Sequence, residues 1–133
     1  MDIAFGKSGG LVPAIIQDDA TGEVLMLGFM NAESFELTWR SGEVVFFSRS
    51  RKKLWKKGES SGHVLKVCDI RVDCDADALL VRVNPVGLGV CHEGYRSCFF
   101  RSLDKSGTAR AITERSFEPE AVYRTPPQRR EGQ

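Results

Sequence analysis

Blocks of apolar and polar positions divide this chain into short elements. Residues 11–17 are mostly apolar and β-branched, residues 18–22 carry turn formers, and residues 23–30 are apolar again, which predicts a β-hairpin. Asn31 is the expected N-cap of a short helix over residues 32–41, with Glu33 in its first turn, Phe35, Thr38 and Trp39 at helical spacing, and Gly42 at its end. The two aromatics are assigned to the core. Residues 43–48, with Val44, Val45, Phe46 and Phe47, predict a strand. Over residues 64–74 the even positions are Val64, Lys66, Cys68, Ile70, Val72 and Cys74, while the odd ones end in Asp69, Arg71 and Asp73. Such a strand delivers Cys74 from its apolar side and Asp73 from its polar side, and assigns Cys68 to the core. Residues 78–83 predict another short strand, closed by Asn84-Pro85.

After Asp104 the character of the chain changes. Partial alternation over 112–123 predicts a strand pair around Glu118-Pro119, and residues 125–133, with two prolines and no apolar side chain, are expected to be disordered. No internal repeat is visible. Several strands and one helix predict a mainly β (α+β) domain over residues 1–103, followed by a C-terminal extension over 104–133.

At 133 residues the chain fits one domain. Its start has no signal-peptide core and no apolar run approaches a membrane span, so a soluble cytoplasmic protein without a membrane partner is expected. Thiols stay reduced there, and grouped cysteines more often mean metal. The formal net charge of +1 gives no global field toward nucleic acid or membrane.

Against that background, Asp73-Cys74-Asp75-Ala76-Asp77 stands out. If extended, it sends the three carboxylates to one face, roughly 7 Å apart, and Cys74 to the other. That face suits a hard cation such as Mg²⁺; thiolates suit Zn²⁺. A calcium loop of the EF-hand type is excluded at two diagnostic positions, where Ala78 and Asn84 replace glycine and glutamate. An acidic turn without a ligand stays open. Cys68 lies about 20 Å along the strand from Cys74, too far to share a metal. Cys74, Cys91 and Cys98 remain, and three ligands with an open position describe a catalytic zinc better than a structural one. A disulfide is the competing reading.

Between residues 49 and 57, six of nine side chains are Arg or Lys, interrupted by Leu54 and Trp55, and Ser60-Ser61-Gly62-His63 follows. A basic loop before Ser-Ser-Gly suits phosphate, through cationic side chains and backbone N–H groups. A solvated loop, or a small footprint for single-stranded nucleic acid, are the alternatives.

Residues 9–103 resemble phosphoribosyl-AMP cyclohydrolase of histidine biosynthesis. The resemblance rests on GLVPAIIQD (10–18), GEVLMLGFMN (22–31), FSRSRKKLWKKGESSGHVLKV (47–67), DCDADALL (73–80) and CHEGYRSCFF (91–100). It implies mixed sheets in a barrel-like arrangement with one short helix, an intertwined homodimer with zinc ligands shared between subunits, zinc on Cys74, Cys91 and Cys98, and magnesium on Asp73, Asp75 and Asp77. Val45-Phe46-Phe47 departs from the His-Tyr-Trp common in the family before Ser-Arg-Ser.

The implied reaction is hydrolytic opening of the adenine ring of 1-(5-phosphoribosyl)-AMP. N1 carries a phosphoribosyl group, so C6 is electrophilic, and zinc lowers the pKa of bound water to near 7. Cleaving N1–C6 leaves a carboxamide, whereas a zinc deaminase loses ammonia. His92, beside Cys91, is the first candidate for proton transfer and His63 the second; a structural hydrogen bond is the alternative role for either. Expected substrate contacts are Arg49, Arg51, Lys53, Lys56, Ser60, Ser61 and Arg96. Two other classes stay open: a zinc-stabilised nucleic-acid-binding module using residues 49–57, and a purely structural metal protein.

Overall fold

The computed structural model describes residues 3–122. Apolar alternation builds the first hairpin: in β1, Val12–Asp18, every second residue (Val12, Ala14, Ile16, Asp18) is buried, and β1 pairs antiparallel with β2, Val24–Met30. The turn between them is fixed by the Asp18 carboxylate, which accepts from the Ala20 N–H at 2.8 Å.

The helix α1, Ala32–Ser41, has the bounds its caps predict. Asn31 accepts from the Ser34 N–H at 2.8 Å while the Ser34 hydroxyl accepts from the Asn31 N–H at 2.9 Å, a reciprocal capping box. Thr38 Oγ1 is buried and accepts from the Val45 N–H at 2.9 Å, which fastens the helix to β3, Val45–Ser48. Phe35 packs partly against the core, but Trp39 is 65% exposed, contrary to its assignment there.

The basic segment is not one loop. Its second half forms β4, Lys53–Lys56, paired antiparallel with β3 around a turn at 49–52. Leu54 and Trp55 supply what the strand needs, and Trp55 packs on Phe46 with centroids 5.1 Å apart.

The long strand β5, Leu65–Val72, contains a bulge at Cys68 where its pairing with β6, Leu79–Pro85, slips by one residue. One extra residue reverses the alternation. Leu65 and Val67 therefore face inward before the bulge and Ile70 and Val72 after it, while Cys68 itself is exposed rather than in the core.

Strand β6 also pairs parallel with β1, giving a mixed sheet of order β2-β1-β6-β5. The β3–β4 ladder lies beside β2, and a single bridge joins Glu43 to Lys66 of β5, yet hydrogen bonding closes no barrel among the described residues. The core between these layers centres on Val12, Ile16, Met30, Phe46, Leu65, Leu79 and Val81.

Beyond it, β7, Arg101–Leu103, pairs with β8, Ala109–Ala111, and a short helix α2, Pro119–Val122, follows. The strand pair expected over 112–123 is absent among the described residues; its pairing falls earlier, around the tight 104–108 turn. The tail expected to be disordered lies outside them. No helix is long and apolar enough to cross a membrane.

Candidate metal and substrate site

The segment between β6 and β7 folds back on itself. The Val90 and Cys91 N–H groups each donate at 3.1 Å to the Arg96 and Tyr95 carbonyls, and Gly94 N–H donates to the Cys91 carbonyl at 3.0 Å. The far limb docks on β2: Cys98 N–H donates to the Leu25 carbonyl at 2.7 Å and the Ser97 hydroxyl to the Val24 carbonyl at 2.8 Å. This return brings Cys91 and Cys98 into hydrogen-bonding contact.

Both are free thiols, so the disulfide reading fails in this structure. The hydrogen bond from Cys98 holds the Cys91 thiol down to about 6, helped by the Glu93 N–H and the neighbouring His92. The same bond, with burial, pushes the Cys98 thiol up. A pair in which one sulfur is readily a thiolate is a suitable donor set for zinc.

Lys57 completes the pair's surroundings. It is 6% exposed, and its ammonium donates to the Val90 carbonyl at 2.6 Å. Burial lowers its pKa, and the Cys98 and Cys91 sulfurs oppose that shift. As one of six basic residues in a run, it carried no sequence signal that its side chain turns inward.

The two histidines are placed differently. His92 is exposed on the loop. His63 is half-buried, with Nδ1 2.9 Å from the Gly89 carbonyl and its ring perpendicular to Phe117 at 5.0 Å. A carbonyl only accepts, so in the neutral ring Nδ1 carries the proton and Nε2 keeps a lone pair. Gly87 makes room for this ring: a Cβ there would sit 2.2 Å from the imidazole.

Residues 73–77 form a turn rather than a strand. Asp73 Oδ1 accepts from the Asp77 N–H at 3.0 Å and the Ala78 N–H at 3.2 Å, and Ala76 takes a left-handed φ of 64°. The turn gathers what an extended chain would have spread: one ligand oxygen each of Asp73, Asp75 and Asp77 lies within 4.8 Å of the others. An all-oxygen group of that size fits a hard divalent cation.

Cys74 is exposed at the same turn and forms no three-ligand group with Cys91 and Cys98 among the described residues. The register explains why. Val72 pairs with Leu79, Leu79 with Ala14, and Ala14 with Gly28, whereas Cys98 docks at Leu25. Three residues along β2 and three strand spacings across put the Cys74 end of the turn about 18 Å from the thiol pair. One chain therefore presents two of the three expected zinc ligands together.

The expected substrate contacts also divide. Arg49 lies over the Phe29 ring at 4.0 Å and, with Ser48, Ser50, Phe47 and Trp55, lines an open cleft of about 480 Å³. Arg51 starts in the same turn and buries a guanidinium nitrogen, Nη1, that has no hydrogen-bond partner. Lys53 is exposed on β4, and Lys56 is paired with Glu43 at 2.5 Å. Ser60 is half-buried, and the Ser61 hydroxyl accepts from the His63 N–H at 3.1 Å. Arg96 is engaged by carboxylates: it is hydrogen-bonded to buried Asp18 and donates to Glu23 at 2.7 Å.

A family model described as phosphoribosyl-AMP cyclohydrolase matches residues 26–100, which contain the thiol pair, the acid turn, both histidines and the Ser48–Ser50 cleft. The chain belongs to the phosphoribosyl-AMP cyclohydrolase family. Family members are hydrolases. A phosphoribosyl-AMP cyclohydrolase of Solibacter usitatus (strain Ellin6076) is 57% identical over 123 residues, covering 92% of this chain and 97% of the relative. One of Methanosarcina mazei (strain ATCC BAA-159 / DSM 3647 / Goe1 / Go1 / JCM 11833 / OCM 88) is 54% identical over 124 residues, 91% of this chain and 99% of the relative. That of Nitratidesulfovibrio vulgaris (strain DP4) is 52% identical over 120 residues, 90% and 94% respectively. These cyclohydrolase alignments extend well past the matched core, so the extension that packs Phe117 against His63 falls within the length such relatives share.

Proposed function

We propose that this enzyme opens the adenine ring of 1-(5-phosphoribosyl)-AMP by adding water at C6 and breaking N1–C6, giving the formimino-aminoimidazole carboxamide ribotide intermediate of histidine biosynthesis, in the cytoplasm. The observation that carries this reading is the Cys91–Cys98 thiol pair on the loop that also bears His92 and, through the Gly89 carbonyl, holds His63. Zinc on Cys91, Cys98 and a Cys74 would supply a water acidic enough to act near neutral pH. Asp73, Asp75 and Asp77 would hold Mg²⁺.

The chain's own residues handle protons and position. The Nε2 lone pair of His63 accepts the proton of the attacking water, and exposed His92 protonates N1 as its bond to C6 breaks, so one water is consumed and the exocyclic nitrogen is kept as a carboxamide. In the cleft, Arg49 and the Ser48 and Ser50 hydroxyls take one substrate phosphate while Phe29, Phe47 and Trp55 wall it from solvent. Gly28 of that cleft and Leu25 at the thiol pair lie about 10 Å apart along β2, a span that suits a ligand with phosphates at its ends and the reacting ring between.

We further propose a homodimer in which each zinc takes Cys74 from one subunit and Cys91 and Cys98 from the other. The separation of Cys74 from the pair supports it, as does the exposed apolar set Leu88, Phe99, Leu103 and Ile112, each more than half exposed in one chain.

The test is incubation of the purified full-length chain with phosphoribosyl-AMP, Zn²⁺ and Mg²⁺. Ring opening without ammonia is the expected result. Ammonia release, or no turnover together with salt-sensitive RNA binding lost on replacing Lys53 and Lys56, would reject it.

A further inference from the structure

Residues 115–117 belong to the C-terminal extension, beyond the span the family model matches. They nevertheless cross directly over the loop that carries Cys91 and His92. Ser116 clamps both limbs of that loop: its N–H donates to the Gly94 carbonyl at 2.8 Å and its hydroxyl to the Leu88 carbonyl at 2.7 Å. Arg115 Nε donates to the Glu93 carbonyl at 2.7 Å, and its guanidinium lies 5.5 Å from the Tyr95 ring. Phe117 N–H donates again to Gly94 at 3.2 Å. The loop is shaped to admit this segment, because Gly94 has φ +97° and a Cβ there would lie 2.5 Å from the Phe117 carbonyl.

Phe117 then turns its side chain under the loop, where it is 8% exposed and meets the His63 ring at 88°. His63 is thus held from two sides, by the Gly89 carbonyl and by Phe117, and Gly89 lies between the two carbonyls that Ser116 and its N–H grip. The position of the carbonyl that selects the His63 tautomer depends on the extension.

We propose that residues 115–117 are a brace that fixes the His63 imidazole and the Cys91–His92 loop in one arrangement, with Phe117 the positioning residue for His63. The brace follows from contacts alone; its catalytic consequence rests on the function proposed above. A ring free to turn or to exchange tautomers presents an N–H in place of the Nε2 lone pair for part of the time, and misplacement of a catalytic group by about 1 Å costs up to roughly a hundredfold in rate.

The chain contains two histidines, so the tautomer of each can be assigned by ¹⁵N NMR of the full-length, metal-loaded protein without substrate. The wild type is expected to show His63 protonated at Nδ1. Phe117→Ala is expected to mix the tautomers and to lower kcat about tenfold or more, with KM within about twofold and zinc content unchanged. Phe117→Leu, which keeps apolar bulk but no ring, and Ser116→Ala carry the same test if Phe117→Ala does not fold. A wild type protonated at Nε2, variants with unchanged tautomer, a tautomer shift without loss of kcat, or full recovery of kcat by excess zinc would each overturn the proposal. Wild type that turns over no phosphoribosyl-AMP yet shows a Phe117-dependent tautomer would reject the proposed function and leave the brace standing.

Discussion

Arg96→Ala separates two roles for a residue that sequence reading assigns to substrate and the structure engages with carboxylates. Asp18 is 3% exposed, and besides Arg96 its carboxylate is met by the Ala20 N–H at 2.8 Å and, weakly, the Thr21 N–H at 3.4 Å. Removing the guanidinium leaves a buried carboxylate with backbone partners alone. Breaking a fully buried pair costs about 3–5 kcal/mol, but the Arg96 side chain is 40% exposed and water can replace part of it, so about 2 kcal/mol is expected. For a chain of this length that corresponds to a fall in Tm of roughly 6–10 °C. Because the penalty is an orphaned charge, Asp18→Asn in the Arg96→Ala background should recover part of the loss rather than add to it. The assay is thermal unfolding followed by circular dichroism at saturating Zn²⁺ and Mg²⁺, with KM for phosphoribosyl-AMP measured alongside. An unchanged Tm with KM raised tenfold or more would refute the reasoning and return Arg96 to the substrate.

Two further outcomes are expected. Co-expressed Cys74→Ser and Cys91→Ser chains, each inactive alone, should together recover up to about a quarter of wild-type activity, because half of randomly formed dimers are mixed and each mixed dimer rebuilds one of two shared sites; no recovery would mean that the ligands are not shared. Asp104 accepts from the Ser106 hydroxyl, the Thr108 and Ser106 N–H groups and Arg110, which hold its carboxyl at about 2 against an ordinary 3.8. A depressed folded-state pKa stabilises above the ordinary value and is lost as pH falls toward the folded one, so amide protection in the β7–β8 hairpin should decline between pH 4 and 2. Asp104→Asn should abolish that decline, and a pH-independent wild type would contradict it.

What could be read from the sequence was what local chemistry encodes. The helix bounds follow from Asn31 and Gly42, which satisfy the backbone ends wherever the helix packs. The alternation of β1 survives because its ladder shifts only near its end, between Ile16 and Gln17. In β5 a single extra residue at Cys68 reverses the faces, and nothing in a cysteine announces a bulge. The extended alternative for the acid segment fails, and the turn left open beside it holds, for a related reason: the left-handed position is occupied by Ala76, where glycine or asparagine would have signalled the turn. The brace is harder still. It works through carbonyls of Leu88, Glu93 and Gly94, atoms every residue possesses, so no residue-type pattern across the intervening 20 or so positions could have shown it.

The turn at 73–77 matters most for how the two ion chemistries meet under the proposed function. In an extended strand, alternation would have put Cys74 and the carboxylates on opposite faces of a sheet. In the turn, Cys74 is exposed beside Asp73 and Asp75, whose Cα atoms are each about 3.8 Å from its own. Any copy of the chain that brings its Cys74 to a partner's thiol pair must therefore bring its three carboxylates too. In the proposed dimer the three carboxylates, the thiol pair and the loop bearing His92 would then converge at the boundary between two chains, against the exposed Leu88 and Phe99 that flank Cys91 and Cys98 in sequence. Under that proposal metal binding and dimerisation would be one linked equilibrium, since each would favour only the assembled state. The position of Lys57 fits this logic: its ammonium, held on the Val90 carbonyl and within electrostatic reach of Cys91 and Cys98, would offset part of the negative charge of a three-cysteine site.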